Sequence, residues 1–281
     1  MKISLIQMNT QENKSANLAQ AEQLIDRAAA EDRPDLVLLP EMFTMLSESL
    51  EAKRALAETL PGQDGAATGA THAEAYALLQ GLAARHRIHI HGGSLLERAG
   101  DKGGDKFFNT SVAFDRDGRE VARYRKIHLF DVVTPDGKVY AESANVGRGT
   151  EIVTYQLEGH TVGCSICYDV RFPELYQALA KQGAEIIVVP SAFTLQTGKD
   201  HWEPLLRARA IETETYVLAA AQTGSFANGT RTHYGHSLVA DPWGHVIARA
   251  QDKVGFVTAR LDFSLLRDVR QRIPVANHKV L

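Results

Sequence analysis

The chain has 281 residues, of which 44% are hydrophobic and 23% are charged, and its formal net charge is -3. This balance is typical of a protein that folds around its own apolar core, and it excludes intrinsic disorder. The basic residues are scattered, so the chain lacks the positive patch of proteins that bind nucleic acid or anionic membranes. We therefore expect no nucleic-acid partner and no membrane association.

Compartment can also be inferred from the sequence. The sequence contains no run of about 18 apolar residues, which a membrane-spanning helix would need. Its beginning, MKISLIQMNTQENK, becomes polar too early for a signal peptide. The two cysteines, Cys164 and Cys167, are too few and too close together to cross-link a secreted domain. These features predict a reducing compartment, either the cytoplasm or an organelle matrix, with a cytoplasmic location as the simplest expectation.

Strand-like and helix-like segments alternate along the chain, which is the pattern of an α/β fold. In the first half, hydrophobic periodicity predicts a strand over 2–8, a helix over 15–30, a strand over 36–40, a helix over 73–86, a strand over 88–94 and a hairpin over 110–126 that turns at 115–118. The segment 64–72, DGAATGATH, is interpreted as a loop near the rim of the active site.

The second half repeats the alternation. It predicts strands over 161–166, 185–190, 217–222, 235–240 and 245–250, and helices over 173–183 and 200–216. The second helix is expected to begin at Asp200, with Glu203 at capping-box spacing and Pro204 in its first turn. No linker rich in Gly, Ser or Pro interrupts the pattern, so we expect a single domain over 1–281.

Three polar residues come directly after predicted strands. Glu41 follows the uniformly apolar strand 36–40, and Cys167 follows the strand 161–166. Lys126 ends the second strand of the hairpin. Each has an ordinary interpretation, as a loop carboxylate, a buried thiol or a surface charge. Because α/β sheets carry their chemistry at the carboxyl ends of strands, we expect all three to follow inner strands and to share one site.

Together these side chains have the chemistry of acyl transfer. A cysteine nucleophile needs a base, which Glu41 would supply. The oxyanion formed by attack on a carbonyl needs fixed positive charge, which Lys126 and the backbone N–H of Tyr168 would supply. The segment RFPELYQAL predicts a helix whose N-terminus faces Cys167, so we expect the pKa of this thiol to lie below about 8.5.

Metal and redox alternatives use the same cysteines or two histidines. Cys164 and Cys167 form a C-x-x-C pair, but a structural zinc needs four ligands, and a thioredoxin-type pair opens a helix rather than ending a strand. We therefore expect Cys164 to be a core residue. His89 and His91 share one face of a predicted strand, so they could be two metal ligands of a metal-dependent hydrolase. We favour the alternative that both histidines pack in the core.

Three segments carry a family resemblance. LLPEMF around Glu41, RKIHLFD around Lys126 and GCSICYDVRFPELY around Cys167 resemble the signature segments of the nitrilase, or carbon–nitrogen hydrolase, superfamily. The resemblance runs along the whole chain. It implies a four-layer αββα sandwich, a homodimer or higher oligomer paired through the outer helices, and a Glu-Lys-Cys triad without metal or organic cofactor. It also implies a second glutamate, for which YAESANVGRG offers Glu142.

Segments 188–222 and 234–244 resemble the Nit group of amidases, which includes deaminated-glutathione amidase and ω-amidase. The resemblance implies a cysteine amidase that hydrolyses the C–N bond of a small carboxylated amide, of the deaminated glutathione or 2-oxoglutaramate type, through a thioester. An N-carbamoyl amino acid amidohydrolase or a nitrilase with the same triad is the alternative. A non-catalytic oligomeric scaffold or sensor is the alternative outside enzymes.

Substrate recognition requires a positive charge if the substrate is an anion. Arg171 is the candidate by its position shortly after the nucleophile. The alternative is a salt bridge from Arg171 to Asp169 or Glu174. The resemblance further implies that Phe193 and Thr197 line the substrate pocket.

Overall fold

The computed structural model describes residues 1–62, 73–100 and 106–280, so the loop predicted over 64–72 lies outside the described residues. The strands are β1 (Lys2–Gln7), β2 (Leu36–Leu38), β3 (His89–His91), β4 (Leu95–Arg98), β5 (Phe107–Phe114), β6 (Glu120–Arg125), β7 (Asp131–Val133), β8 (Val139–Ala141), β9 (Thr154–Leu157), β10 (His160–Cys164), β11 (Ile186–Val188), β12 (Tyr216–Ala219), β13 (Thr223–Phe226), β14 (Arg231–Tyr234), β15 (Leu238–Ala240), β16 (Val246–Arg249) and β17 (Gly255–Arg260). The helices are α1 (Lys14–Asp32), α2 (Leu50–Leu56), α3 (Glu74–His86), α4 (Pro173–Lys181), α5 (Leu195–Thr213), α6 (Phe263–Arg272) and α7 (Val275–His278). Short 3-10 helices cover Glu142–Ala144, Cys167–Arg171 and Ala227–Gly229.

Most strands belong to two sheets. The seven-stranded sheet has the order β17-β1-β2-β3-β5-β4, with β6 paired to β5. The six-stranded sheet has the order β16-β15-β12-β11-β10-β9. In each sheet a parallel centre, β1-β2-β3 or β10-β11-β12, is flanked by antiparallel strands. Two hairpins, β7–β8 and β13–β14, form separate two-stranded sheets.

Alternation of side chains along the central strands separates two hydrophobic cores. In β2, Leu36 and Leu38 belong to a core shared with the second sheet, whereas Val37 belongs to the core beneath α1 and α3. Helices α4 and α5 contact β10 and β12 of the second sheet. The layers therefore follow the order helices, sheet, sheet, helices, and the predicted αββα sandwich is confirmed. No helix in the described ranges has the length and apolarity needed to cross a bilayer.

The long helix α5 begins earlier than the sequence predicts. The hydroxyl of Thr194 accepts a hydrogen bond from the N–H of Thr197 at 3.3 Å and so caps a helix that starts at Leu195. Asp200 is therefore inside the helix, and Pro204 lies in the interior rather than in the first turn. The expectation was wrong because a threonine cap followed by a turn without acidic residues gives a weaker signal than a capping box.

Two features of the first sheet also differ from expectation. The strand β17, which the sequence analysis does not predict, pairs antiparallel with β1, and its side chains are mostly half-buried, which weakens any alternation in its sequence. Within the part of the chain that the structure describes, strand β6 pairs with β5 alone, so it lies at an edge of the sheet. The expectation that Lys126 follows an inner strand was therefore wrong.

A close backbone approach fixes the chain just before Glu41. Gly93 has φ +55°, and a Cβ added there would overlap the carbonyl oxygen of Pro40. The N–H of Ser94 donates to the same carbonyl at 3.3 Å, and the Ser94 hydroxyl accepts from the N–H of Met42 at 3.0 Å. The turn after β3 therefore holds the segment that carries Glu41.

The substitution Gly93→Ala tests this approach against Gly137→Ala. Gly137 also has positive φ, +79°, but a Cβ there meets open space. The left-handed backbone alone costs alanine about 1–2 kcal/mol, and forcing an extra group into packed structure adds about 1–3 kcal/mol. We expect urea unfolding to show a larger loss of stability for Gly93→Ala than for Gly137→Ala. Equal losses would contradict the role given to Gly93.

Candidate active site

Three segments bring polar side chains together where the two sheets face each other. Glu41 follows β2 and Lys126 follows β6, both in the first sheet, whereas Cys167 follows β10 of the second sheet. All three side chains are buried, and all three line one cavity of about 330 Å³. The predicted convergence of Glu41, Lys126 and Cys167 is therefore present as geometry, and it depends on the packing of one sheet on the other.

The Lys126 ammonium is held between two carboxylates. Its Nζ donates to Glu41 Oε1 at 2.9 Å and to Glu142 Oε2 at 2.9 Å. Burial acts to lower the pKa of Lys126, but the charges of Glu142 and Glu41 outweigh burial and hold this pKa well above its usual range. The lysine therefore carries a permanent positive charge beside the thiol, and Glu142 lies where the resemblance implies.

Asn109 in β5 joins the two carboxylates from another side. Its Nδ2 donates to Glu41 Oε1 at 2.9 Å and to Glu142 Oε1 at 3.1 Å, and its backbone carbonyl accepts from the Lys126 N–H at 2.9 Å. Sequence analysis misses this residue because it lies within a strand instead of after one. The available signal is an asparagine inside the apolar segment FFNTSVAF, since Asn is depleted in strands.

Cys167 opens the short 3-10 helix Cys167–Arg171 with an unusual backbone. Its φ is +49°, a left-handed conformation that is uncommon for a residue with a side chain and costs on the order of 1–3 kcal/mol. Its N–H donates to the carbonyl of Pro190 at 2.9 Å, which fixes the strained turn against the neighbouring strand end. Such strain is typical of residues whose side chain must be presented to a site.

Asp169 ties this turn to the segment around Lys126. Its buried carboxylate accepts from the Ile166 N–H at 2.9 Å and from the Tyr124 hydroxyl at 2.7 Å. It also accepts from the N–H of His128 at 2.9 Å and lies 2.7 Å from His128 Nδ1. The nucleophile turn and the lysine segment are therefore fixed to each other by one carboxylate, which the sequence analysis considers only as a partner for Arg171.

The expected low pKa of Cys167 was wrong. Burial raises the pKa of the thiol well above its usual range, and the Glu41 charge adds to this effect; Lys126 and the N–H of Ala192 oppose it without reversing it. The helix signal that follows Cys167 is local, whereas burial and the charge of Glu41 arise from the fold. The resting cysteine is therefore a neutral thiol next to a carboxylate that can accept its proton.

Backbone N–H groups complete the polar surroundings. The Ala192 N–H donates to Glu41 Oε2 at 2.9 Å, so this carboxylate is held by three groups. The N–H of Tyr168 has no hydrogen-bond acceptor among the described residues, and Tyr168 lines the cavity. This free donor next to Cys167 is compatible with the predicted contact to an oxyanion.

The predicted substrate-binding residues lie in different places. Phe193 and Thr197 line the cavity, whereas Arg171 is not part of its lining. Both terminal nitrogens of the Arg171 guanidinium lie 3.3 Å from Nδ1 of His201, and the group packs over the Phe193 ring at 5.4 Å. Asp169 is bonded to other residues, and neither Asp169 nor Glu174 forms an ion pair with Arg171 among the described residues. Substrate binding by Arg171 stays a prediction, with the side chain behind the cavity wall.

The histidines of the metal alternative serve other contacts. His89 Nε2 lies 3.0 Å from Glu158 Oε1, a carboxylate that the sequence spacing does not connect with it. His91 is buried between the sheets near Cys164, and burial lowers the pKa of His91 to about 3. Within the described ranges, no group of three or more His, Cys, Asp or Glu side chains could hold a metal ion.

Comparison with known proteins shows which family the chain is similar to. The sequence model of the family described as "Carbon-nitrogen hydrolase" matches residues 2–271. The chain is 43% identical to the deaminated glutathione amidase of Synechocystis over 98% of this chain and 96% of the relative. It is 34% identical to an omega-amidase of Danio rerio over 99% of this chain and 94% of the relative. The crystal structure of Nit3 from Saccharomyces cerevisiae, a member of branch 10 of the nitrilase superfamily, aligns with a TM-score of 0.87 at 31% identity, covering 100% of this chain and 97% of that one.

The substitution Glu41→Gln tests the electrostatics of the thiol. Because the Glu41 charge raises the pKa of Cys167 and the Lys126 charge lowers it, removing the first should lower this pKa. We expect the ultraviolet absorbance of the thiolate to develop at lower pH than in the wild-type protein, with Cys167→Ser as the blank. Loss of the base should also reduce turnover by about 10²- to 10⁴-fold.

The exposed Glu151→Gln is a matched control, expected to leave both properties unchanged. Circular dichroism of each variant verifies that the fold is intact. An unchanged or higher thiol pKa in Glu41→Gln would contradict the electrostatic description.

Proposed function

The chain belongs to the carbon–nitrogen hydrolase family, and on this premise we propose that it is a cysteine amidase acting on small carboxylated amides. The observation that carries the proposal is the buried Lys126 ammonium, bonded to Glu41 and Glu142 beside a neutral Cys167 thiol in one cavity. A base, a fixed positive charge and a nucleophile are the three elements that acyl transfer requires.

Acylation begins with the transfer of the thiol proton to Glu41. The sulfur of Cys167 attacks the amide carbon, and the electrons of the C=O bond move to the oxygen. The Lys126 ammonium and the Tyr168 N–H stabilise this oxyanion, each donor contributing on the order of 3 kcal/mol to the transition state. Glu41 passes the proton to the leaving nitrogen, the C–N bond breaks, and ammonia or an amine departs from a thioester on Cys167.

Deacylation uses the same groups with water as the nucleophile. Glu41 removes a proton from the water as its oxygen attacks the thioester carbon. The second oxyanion meets the same donors, the C–S bond breaks, and the proton returns to the sulfur while the carboxylic acid leaves. Glu142 acts as a positioning residue, since it accepts a hydrogen bond from Lys126 and is itself held by the Phe130 N–H at 2.7 Å.

Relatives indicate the type of amide. The Synechocystis and Dictyostelium discoideum proteins are named deaminated glutathione amidases, at 43% and 40% identity, and the omega-amidase of Danio rerio is 34% identical. We propose deaminated glutathione as the preferred substrate type and 2-oxoglutaramate as the second. N-carbamoyl amino acids and nitriles are not favoured. A cytoplasmic location and a homodimer or higher oligomer belong to the same proposal.

A substrate panel tests the proposal. We expect the purified protein to release amine or ammonia from deaminated glutathione and 2-oxoglutaramate, and little from an N-carbamoyl amino acid or a nitrile. The substitution Lys126→Met removes the fixed charge at similar volume, so it should reduce kcat by at least about 100-fold. Cys167→Ala should abolish turnover.

Activity on the last two substrates alone would reject the substrate type. Turnover by Cys167→Ala would reject the nucleophile. Absence of turnover on every amide would favour the non-catalytic scaffold.

A further inference from the structure

The cavity has a second polar region, which the triad does not use. Its residues come from the segment after Glu41, from hairpin β7–β8 and from hairpin β13–β14. The polar side chains that line it there are Glu48, Lys53, Tyr140, Arg231 and His233. Lys53 and Arg231 are therefore positively charged side chains that line the cavity, whereas Arg171 does not line it.

Arg231 has a hydrogen-bond donor without an acceptor. Its Nε donates to Glu48 Oε1 at 2.7 Å, and the centre of its guanidinium lies 4.3 Å from the centroid of the Tyr140 ring. Its Nη1 is buried and has no hydrogen-bond partner among the described residues. Leaving a buried donor unpaired costs about 1–3 kcal/mol, and more when the group is charged, so a small rotation that brings this nitrogen to an acceptor in the cavity would be favourable.

The surrounding charges favour an anion. Lys53 is the second cation of the region; burial lowers the pKa of its ammonium, while the charges of Glu48 and Glu142 oppose that effect. Burial lowers the pKa of His233 to about 4, so this ring is neutral near pH 7. Glu142 is already paired with Lys126. Among the described residues, two cations and one further carboxylate, Glu48, therefore line this part of the cavity.

We propose that Arg231, whose side chain lines the cavity, binds a carboxylate of the substrate through its guanidinium, with Lys53 as a second positive charge. Guanidinium groups are well suited to this role because they donate two parallel hydrogen bonds to a carboxylate. The inference rests on the proposed amidase function and assigns substrate recognition to a residue for which the sequence gives no signal.

The position of Arg231 defines the shape of the ligand. Its guanidinium packs on Tyr140, whose ring is 5.1 Å from that of Phe130, and the Phe130 ring is 5.1 Å from that of Tyr168, next to the nucleophile. Three aromatic rings in contact therefore connect Arg231 with the residue next to Cys167, and Arg231 and Cys167 line different parts of one cavity. A ligand that reaches both must carry its carboxylate and its amide at separate ends, as a monoamide of a dicarboxylic acid does.

The substitution Arg231→Gln tests the proposal in steady-state kinetics. Deaminated glutathione and 2-oxoglutaramate are compared with their methyl esters, which keep the amide and lack the negative charge. We expect kcat/KM for the acids to fall by about 30- to 100-fold through KM, and kcat/KM for the esters to change by less than about 3-fold. Arg231→Lys should restore part of the loss. Arg272→Gln, at an exposed position outside the cavity lining, is the matched control and should change neither class by more than about 3-fold.

Comparing 2-oxoglutaramate with deaminated glutathione shows which carboxylate of the substrate binds to Arg231. 2-Oxoglutaramate carries it only on the acyl side of the amide, whereas deaminated glutathione also carries one on the amine side. A loss for both acids assigns Arg231 to the acyl-side carboxylate, and a loss for deaminated glutathione alone assigns it to the amine side. No loss for either acid, or equal losses for acids and esters, would overturn the proposal.

Binding of glutarate, measured by calorimetry, is independent of catalysis. If the wild-type protein hydrolyses none of the amides, the proposed function fails, yet glutarate should still bind about 30-fold more weakly to Arg231→Gln than to the wild-type protein. Equal affinity for both proteins, or no binding to the wild-type protein, would overturn the carboxylate site itself.

Discussion

A lysine ammonium buried between two carboxylates is the interaction on which the rest of this site depends. Taking three charges out of water costs several kcal/mol for each ion unless their geometry compensates. Lys126 meets Glu41 and Glu142 at 2.9 Å each, and Asn109 bonds to both carboxylates. Removing Lys126 would leave two buried carboxylates without a cation, so the segments that carry these residues must keep fixed positions.

The sandwich supplies those fixed positions. The first sheet carries Glu41 and Lys126, the second carries Cys167, and the core between the sheets sets their separation. Asp169 adds a direct connection, because it bonds both to the nucleophile turn and to the segment around Lys126. Burial also raises the pKa of the Cys167 thiol, so the resting cysteine is neutral beside the Glu41 carboxylate.

Strand-end residues were predictable from sequence, whereas contacts between distant segments were not. Glu41 and Cys167 follow apolar runs, a local pattern that carries its own signal. Asn109 and Arg231 have no such pattern, because their roles arise from partners far away in the chain, such as Glu41 for the first and Tyr140 for the second. The pKa of Cys167 was misjudged for the same reason, since burial and Glu41 outweigh the local helix.

Helices and strands likewise divide into those that the local sequence predicts and those that it does not. The amphipathic helix α1 and the hairpin β5–β6 were predicted because periodicity and turn residues act within a short window. The start of α5 was missed because a single threonine cap is a weak signal beside a capping box. The local sequence does not predict strand β17, because the strand is stabilised by pairing with β1, which lies far away in the chain.

Mass spectrometry of the rapidly quenched reaction tests the central claim most directly, namely that the buried lysine and glutamate make Cys167 the acylated nucleophile. During turnover of deaminated glutathione, the peptide that contains Cys167 should gain the mass of the acyl group and lose it again once substrate is consumed. No such adduct should form in Lys126→Met on the same timescale. Turnover without an adduct on Cys167, or an adduct on Cys164 instead, would contradict the claim.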